Sequence, residues 1–449
     1  MTNAAALAQV VGRFAQMRSV AARAVQDHPM DVRALYGAAM AFRLSGDLAS
    51  AHTALALAAK AEPDNTHVLF ERGVIEEYLG QFDAAAASYR RALSAEPLNY
   101  KARQALVQLE KQSIANNSIA ELESQFSMAP DADGWRTLHL GHALAKTFED
   151  MGDAAQSFAW LERAKARRRV IAPYNAAREE AVTNAAMATA AALRSGDDSS
   201  EPIFVAGLPR SGTTLVDRIL SSHADVMSAG EIGNFSQIYK ALSGSTTPAT
   251  LDVDGLSRAD GVDFAQLGRA YVESTRPLTG AKPRFVDKAP SNYLLAGLIL
   301  RALPNARVIC IRRHPLDSVL SNYKQIFPID DRYYDYVYGL ESAAHKVVQL
   351  DRILAHWKRT LPSDRFLELR YENLVANQEA RTRELVAFCG LAWDPRCLAF
   401  HENAAGVATP SARQVRSAMN ANAVGRAAKY GALLDPARQV LERAGIALD

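Results

Sequence analysis

The chain has 449 residues, 49% of them hydrophobic and 22% charged, which supplies cores for two or three domains. Its 51 Lys and Arg stand against 49 Asp and Glu, a formal charge of +2, so no general cationic field recommends a nucleic-acid polymer as partner. No stretch has the length of a membrane span, and the start scatters charges through its apolar residues, unlike a signal peptide; a cytoplasmic location is expected. Cys310, Cys389 and Cys397 form no CxxC and have no His cluster nearby, which argues against a disulfide framework and a metal site.

The first third repeats itself. Pro29, Pro63 and Pro97 are 34 residues apart, and between them Leu35 maps onto Leu69, Gly46 onto Gly80, Ala51 onto Ala85 and Ala58 onto Ala92. Small residues at those places let antiparallel helices approach, and the Gly suits a turn needing positive φ. This pattern resembles the tetratricopeptide repeat, over roughly residues 1–170. A third, looser unit at 140–166 has Gly152 in the turn and Ala164 in the small slot, displaced by an extra segment around 111–135 with a loop at 129–135. Residues 2–28 are expected to cap the front. The concave face of such an array binds a peptide or protein partner, or the array is a rigid dock for the rest of the chain; the sequence leaves both open.

The basic run Arg163 to Arg169 reads as a solvated helix end before Pro173. Residues 171–200 form a linker, with a helix at 174–193 and a flexible Ser, Asp and Gly-rich breaker at 194–202. From 201 to 449 the texture changes. Strands are predicted at 202–207, 283–287, 306–313 and 364–371, with helices near 213–222, 262–276, 291–302, 315–326, 340–360 and 377–389. Such alternation predicts an α/β domain on a parallel sheet, whose ligands bind at the carboxyl ends of the strands. The polar insertion within 240–283 reads as a lid, an acceptor rim or a plain surface loop.

The first strand runs into GLPRSGTTL (207–215), an order of strand, Gly loop and helix start that cradles a phosphate. It nearly matches GxxxxGK[ST], but Thr213 occupies the lysine position that phosphoryl transfer needs. Arg210, Ser211, Gly212, Thr213 and Thr214 suit a less charged phosphosulfate, with no metal required. Further on, RRHPLDSVLSNY (312–323) puts Arg313 at a strand end and Ser321 eight residues later on a helix begun by Pro315. The two can converge on a second phosphate of the same nucleotide, at its ribose 3′ position.

Together these two segments resemble the sulfotransferase superfamily's 5′-phosphosulfate loop and 3′-phosphate motif, with tyrosylprotein and bacterial repeat-bearing sulfotransferases the nearest in kind. The resemblance covers roughly 200–432 and implies a P-loop-like sulfotransferase domain using 3′-phosphoadenosine 5′-phosphosulfate, with adenosine 3′,5′-bisphosphate as product. It implies Glu231 as general base and Lys288 with Arg210 as stabilisers of the leaving phosphate. Tyr371 would lie near the nucleotide, and 409–430, with Gln414, Val415 and Arg426, would close over it. The departures are Ala427 for a tryptophan, Gly425 for a serine and Gly230 for a second Glu. The acceptor, a hydroxyl or amine on a protein tyrosine, sugar or small molecule, stays open, as does oligomeric state. The rival readings are a degenerate P-loop phosphotransferase and a non-catalytic repeat scaffold. Asp287 orients Lys288 or forms an ordinary salt bridge, and His223 and His314 are read as structural.

Overall fold

The computed structural model describes residues 10–128, 134–189, 196–247, 249, 251–280, 282–328 and 332–448. The loop expected at 129–135 therefore lies outside the described residues up to 133, as do residues 2–9 of the front cap and 194–195 of the breaker.

The 34-residue register is a helix-start register. Asp31, Asn65 and Asn99, each two residues after its proline, cap Val32–Leu44, Thr66–Leu79 and Tyr100–Leu109 by accepting backbone N–H groups. The partner helices of the first two hairpins are Leu48–Ala61 and Phe82–Ala95. Gly46, Gly80 and Gly152 turn their hairpins at φ 76°, 81° and 87°. The small slots Ala51, Ala58, Ala85 and Ala92 are buried at the helix contacts. Trp135–Asp150 and Ala154–Ile171 form the last hairpin, and a Cβ on Gly141 would lie 2.5 Å from that of Ala164, so this pair is at its closest possible approach. The extra segment contributes the helix Ile119–Ser127.

The basic run is solvated only in part: Arg163 and Arg167 are exposed as read, while Lys165 and Arg168 are buried. Lys165 is fully buried and donates to the Val337 carbonyl at 3.0 Å, Arg163 lies over Trp160, and Arg168 lies over Trp135 and Tyr338. It is a packing seam because the α/β domain covers this side of the last hairpin, which local sequence does not reveal. Helix Ala176–Ala188 packs on the long helix Leu340–Thr360, and Asp197 N–H donates to the Ala302 carbonyl at 2.8 Å, so the described part of the breaker is held against the sheet domain.

The sheet has five parallel strands in the order β2-β3-β1-β4-β5: β1 Pro202–Gly207, β2 Val226–Gly230, β3 Arg284–Asp287, β4 Arg307–Arg312 and β5 Phe366–Arg370. Sequence reasoning misses β2, a five-residue edge strand, VMSAG, with only Val226 fully buried. Central β1 is buried on both faces. Ile203 and Val205 pack with Ile309 and Ile311 towards the helices Thr213–Ser221 and Gln378–Phe388. Phe204 and Ala206 face a larger core that runs through Tyr271 and Trp357 to Leu144 and Leu161 of the repeat array. The last hairpin of the array and this face of the sheet therefore share one apolar core, while the first two hairpins keep cores of their own. No described helix is long and apolar enough to cross a membrane.

Candidate functional site

Because all five strands run parallel, their carboxyl ends meet at one edge, and each delivers a chemical group there. Gly230 ends β2 and Glu231 follows; Asp287 ends β3 and Lys288 follows. Gly207 ends β1 and opens the loop 207–214; Arg313 follows β4 and Tyr371 follows β5. Sheet order therefore lines up Glu231, Lys288, the loop, Arg313 and Tyr371 across strands about 4.8 Å apart.

Two glycines are sterically required in the loop. A Cβ on Gly207, at φ 147°, would lie 2.3 Å from the Ile311 carbonyl oxygen, and one on Gly212, at φ 109°, would lie 2.7 Å from the Tyr371 ring. Arg210 is the one described non-glycine residue with positive φ, 65°, a conformation that costs about 1–2 kcal/mol. Helix Thr213–Ser221 starts directly from the loop with no side-chain cap, which leaves its first N–H groups and the positive end of its dipole for a ligand. Among the described residues the Ser211 hydroxyl is buried without a hydrogen-bond partner, as is Nε of Arg313. Asn322 braces the loop by donating to the Pro209 carbonyl at 2.9 Å, and Tyr336 donates to Asn322 at 2.7 Å.

Charge at this edge is concentrated: Arg313 stands by Asp317 and Lys288 by Glu231, while Arg210 has no carboxylate partner among the described residues. Arg210 donates to two neutral groups, Ser411 Oγ at 2.5 Å and Gln414 Oε1 at 3.2 Å. Burial first, then the nearby Arg313 and Arg426 cations, push its pKa down to about 10. Arg313 lies over the Tyr371 ring at 5.3 Å, donates to the Arg210 and Ala423 carbonyls, and stands 3.3 Å from Asp317. Burial raises the Tyr371 phenol above its usual range. Guanidinium groups gathered beside uncapped amides have the chemistry to hold an anion.

At the other end of the edge, buried Lys288 donates to Glu231, whose side chain is 43% exposed. Asp287 faces the core instead, accepting from Tyr271 at 2.8 Å and Asn292 at 3.2 Å, and burial pushes its carboxyl up to about 7. Asp217, also raised by burial, lies near enough for Lys288 to counter that rise. His223 donates Nε2–H to the Ala392 carbonyl at 2.9 Å while Nδ1 accepts from Asp225 N–H, and His314 contacts the Leu448 carbonyl at 3.0 Å, so both are structural.

The tail closes over the loop. Thr409 meets Thr214 at 3.3 Å, and Val415 packs beside Leu215 with Val407 and Ala412. Arg426 reaches outward to Glu149 at 2.6 Å. Ser321 is half-exposed and donates to the Ser318 carbonyl of its own helix at 3.2 Å rather than pairing with Arg313. Sequence reasoning overlooks Asp317, which accepts from Gly425 and Ala427 N–H at 2.8 Å each, and Asn322. The one signal for Asp317 was its position four residues after Arg313 at a helix start.

Residues 202–395 match the sulfotransferase family, and residues 66–97 match the tetratricopeptide repeat. An uncharacterized protein of Aquifex aeolicus (strain VF5) is 34% identical over 251 residues, covering 55% of this chain and 33% of its own. The protein-tyrosine sulfotransferase of Drosophila melanogaster is 23% identical over 207 residues, 44% of this chain and 40% of that one. The chain thus spans between 33% and 40% of these two relatives' lengths. Among solved structures, the sulfotransferase domain of the Synechococcus PCC 7002 olefin synthase aligns with 57% of this chain and 97% of its own, at 18% identity and TM-score 0.38. A mouse sulfotransferase complexed with PAP aligns with 56% of this chain and 85% of its own, at 15% identity and TM-score 0.33.

Proposed function

We propose that this chain, which carries a sulfotransferase-family domain behind a tetratricopeptide repeat, transfers a sulfuryl group from 3′-phosphoadenosine 5′-phosphosulfate to a hydroxyl or amine. The observation that carries the reading is the pairing of Arg210, among the described residues, with neutral groups only, beside Arg313 and an uncapped helix start. The donor nucleotide supplies the activated sulfuryl group and two anionic ends. Residues 210–214 hold the 5′ end: the Gly212, Thr213 and Thr214 amides, the unpartnered Ser211 hydroxyl and the Arg210 guanidinium suit phosphosulfate oxygens. Arg313 holds the 3′-phosphate with Ser321, and Tyr371 walls the loop.

The reaction needs one proton removed and one negative charge received. The acceptor heteroatom bonds sulfur as Glu231, exposed at the rim, takes its proton. The bond from sulfur to the bridging oxygen breaks, and the electron pair stays on the phosphate beside Lys288 and Arg210. A general base contributes about 10²–10⁴-fold, or roughly 3–5 kcal/mol of barrier. Lys288 acts from a buried position, where a fixed ammonium stabilises developing charge more than in water. A phosphate oxygen competing for the ammonium weakens its bond to Glu231, which frees the carboxylate for the acceptor.

Arg313→Ala tests the assignment without knowledge of the acceptor. It should weaken adenosine 3′,5′-bisphosphate far more than adenosine 5′-phosphate. Equal losses for the two nucleotides would remove the 3′-phosphate contact.

A further inference from the structure

Two repeat helices, Thr66–Leu79 and Tyr100–Leu109, end on the segment 407–416 that covers the phosphate loop, and a third, Trp135–Asp150, ends on the tail just beyond it. On its inner side, Thr409, Ser411 and Gln414 touch Thr214 and Arg210. On its outer side, the carbonyl of Tyr78, in the last turn of Thr66–Leu79, accepts from Val407 N–H at 2.8 Å and Arg416 Nη2 at 3.1 Å. The carbonyl of Leu109, the last residue of Tyr100–Leu109, accepts from Arg413 Nη1 at 2.5 Å. Glu149, in the last turn of Trp135–Asp150, takes Arg426. Carbonyls in a final helical turn lack intrahelical partners and carry the negative end of the dipole, so a guanidinium complements them. Gly80 leaves room for this: a Cβ there would lie 2.5 Å from Nε of Arg416. Arg413, Arg416 and Arg426 of the tail are thus all used on the ends of repeat helices.

We infer that the repeat array is a working part of the nucleotide site, holding 407–416 against the loop so that Ser411 and Gln414 aim Arg210. Arg413 and Arg416 are positioning residues in this scheme. They act through the segment, one touching the Leu109 carbonyl and the other the Tyr78 and Ala405 carbonyls. The inference rests on the nucleotide reading above. It also gives the array a task that needs no outside partner.

The test compares the full-length chain with Arg413→Ala/Arg416→Ala and with Arg413→Lys/Arg416→Lys. Two readouts are taken: hydrogen exchange of the 407–416 amides without nucleotide, and titration with adenosine 3′,5′-bisphosphate. The alanine pair should exchange faster across that segment and bind on the order of tenfold more weakly, with the lysine pair recovering most of both. In turnover, the KM for the donor should rise and kcat should fall with it, since Arg210 also meets the charge on the leaving phosphate, and the lysine pair should recover both. If the wild-type chain binds the bisphosphate and the alanine pair matches it in affinity and exchange, the inference is overturned alone. If the wild-type chain ignores the bisphosphate, the nucleotide reading falls and takes the inference with it. Arg413→Ala by itself, at an exposed position, gives the same comparison should the double variant fail to fold.

Discussion

Replacing Asp317 by Asn removes the charge on which the closing turn is hung. Asp317 is 1% exposed; Oδ1 accepts from Ala427 N–H at 2.8 Å, Oδ2 accepts from Gly425 N–H at 2.8 Å, and Arg313 lies 3.3 Å away. An amide keeps one acceptor oxygen and presents an NH2 to the other donor, so one backbone N–H is orphaned and the Arg313 guanidinium loses its counter-charge. A hydrogen bond to a charged group contributes about 1.5–3 kcal/mol, and unpairing a buried ion costs about 3–5 kcal/mol. The two losses share one carboxylate and overlap, which leaves about 3 kcal/mol for undocking the turn. That is roughly a hundredfold in the docked-to-open ratio. Hydrogen exchange reads it directly: protection of the amides around 425–427 should fall by about two orders of magnitude, while β1 and β4 keep theirs. Unchanged protection at 425–427 would refute the reasoning.

Glu231→Gln should lower turnover on any accepted substrate at least about 10²-fold while bisphosphate affinity survives, and an unchanged rate would remove Glu231 as base. Gly212→Ala sets a Cβ 2.7 Å from the Tyr371 ring at φ 109°, so nucleotide binding should be lost with the fold retained by circular dichroism; wild-type affinity would contradict the packing account. Lys165 is buried, and burial pushes its pKa from the ordinary 10.5 down to about 7. Between those values the unfolded chain binds a proton that the folded chain lacks, so this group makes stability rise with pH across that window and is fully unfavourable below it. Lys165→Met should flatten the rise and raise the melting temperature at pH 6; an unaltered pH slope would count against the buried charge.

Local signals made much of this molecule legible. The proline and glycine register marked the helical hairpins because each unit repeats the same cap and turn, Asp31, Asn65 and Asn99 included. The loop after β1 announced itself through Gly207 and Gly212, whose missing side chains the fold needs at Ile311 and Tyr371. Long-range features were hidden. Strand β2 is short and nearly unburied, so it has neither length nor hydrophobic period. Asp317 and Asn322 read as ordinary helix residues until the chain brings Gly425 and Pro209 to them. Lys165 looked like surface because its cover, Val337, is 172 residues away.

The central claim is that the strand-end cluster of Arg210, Arg313 and loop 207–214 receives a nucleotide with phosphates at both the 5′ and 3′ positions. Calorimetric titration of the full chain with adenosine 3′,5′-bisphosphate, beside ADP and beside ATP with magnesium, tests it most directly. The account predicts metal-independent preference for the bisphosphate. Preference for ATP with magnesium would contradict it and favour a phosphoryl-transfer reading of the same loop.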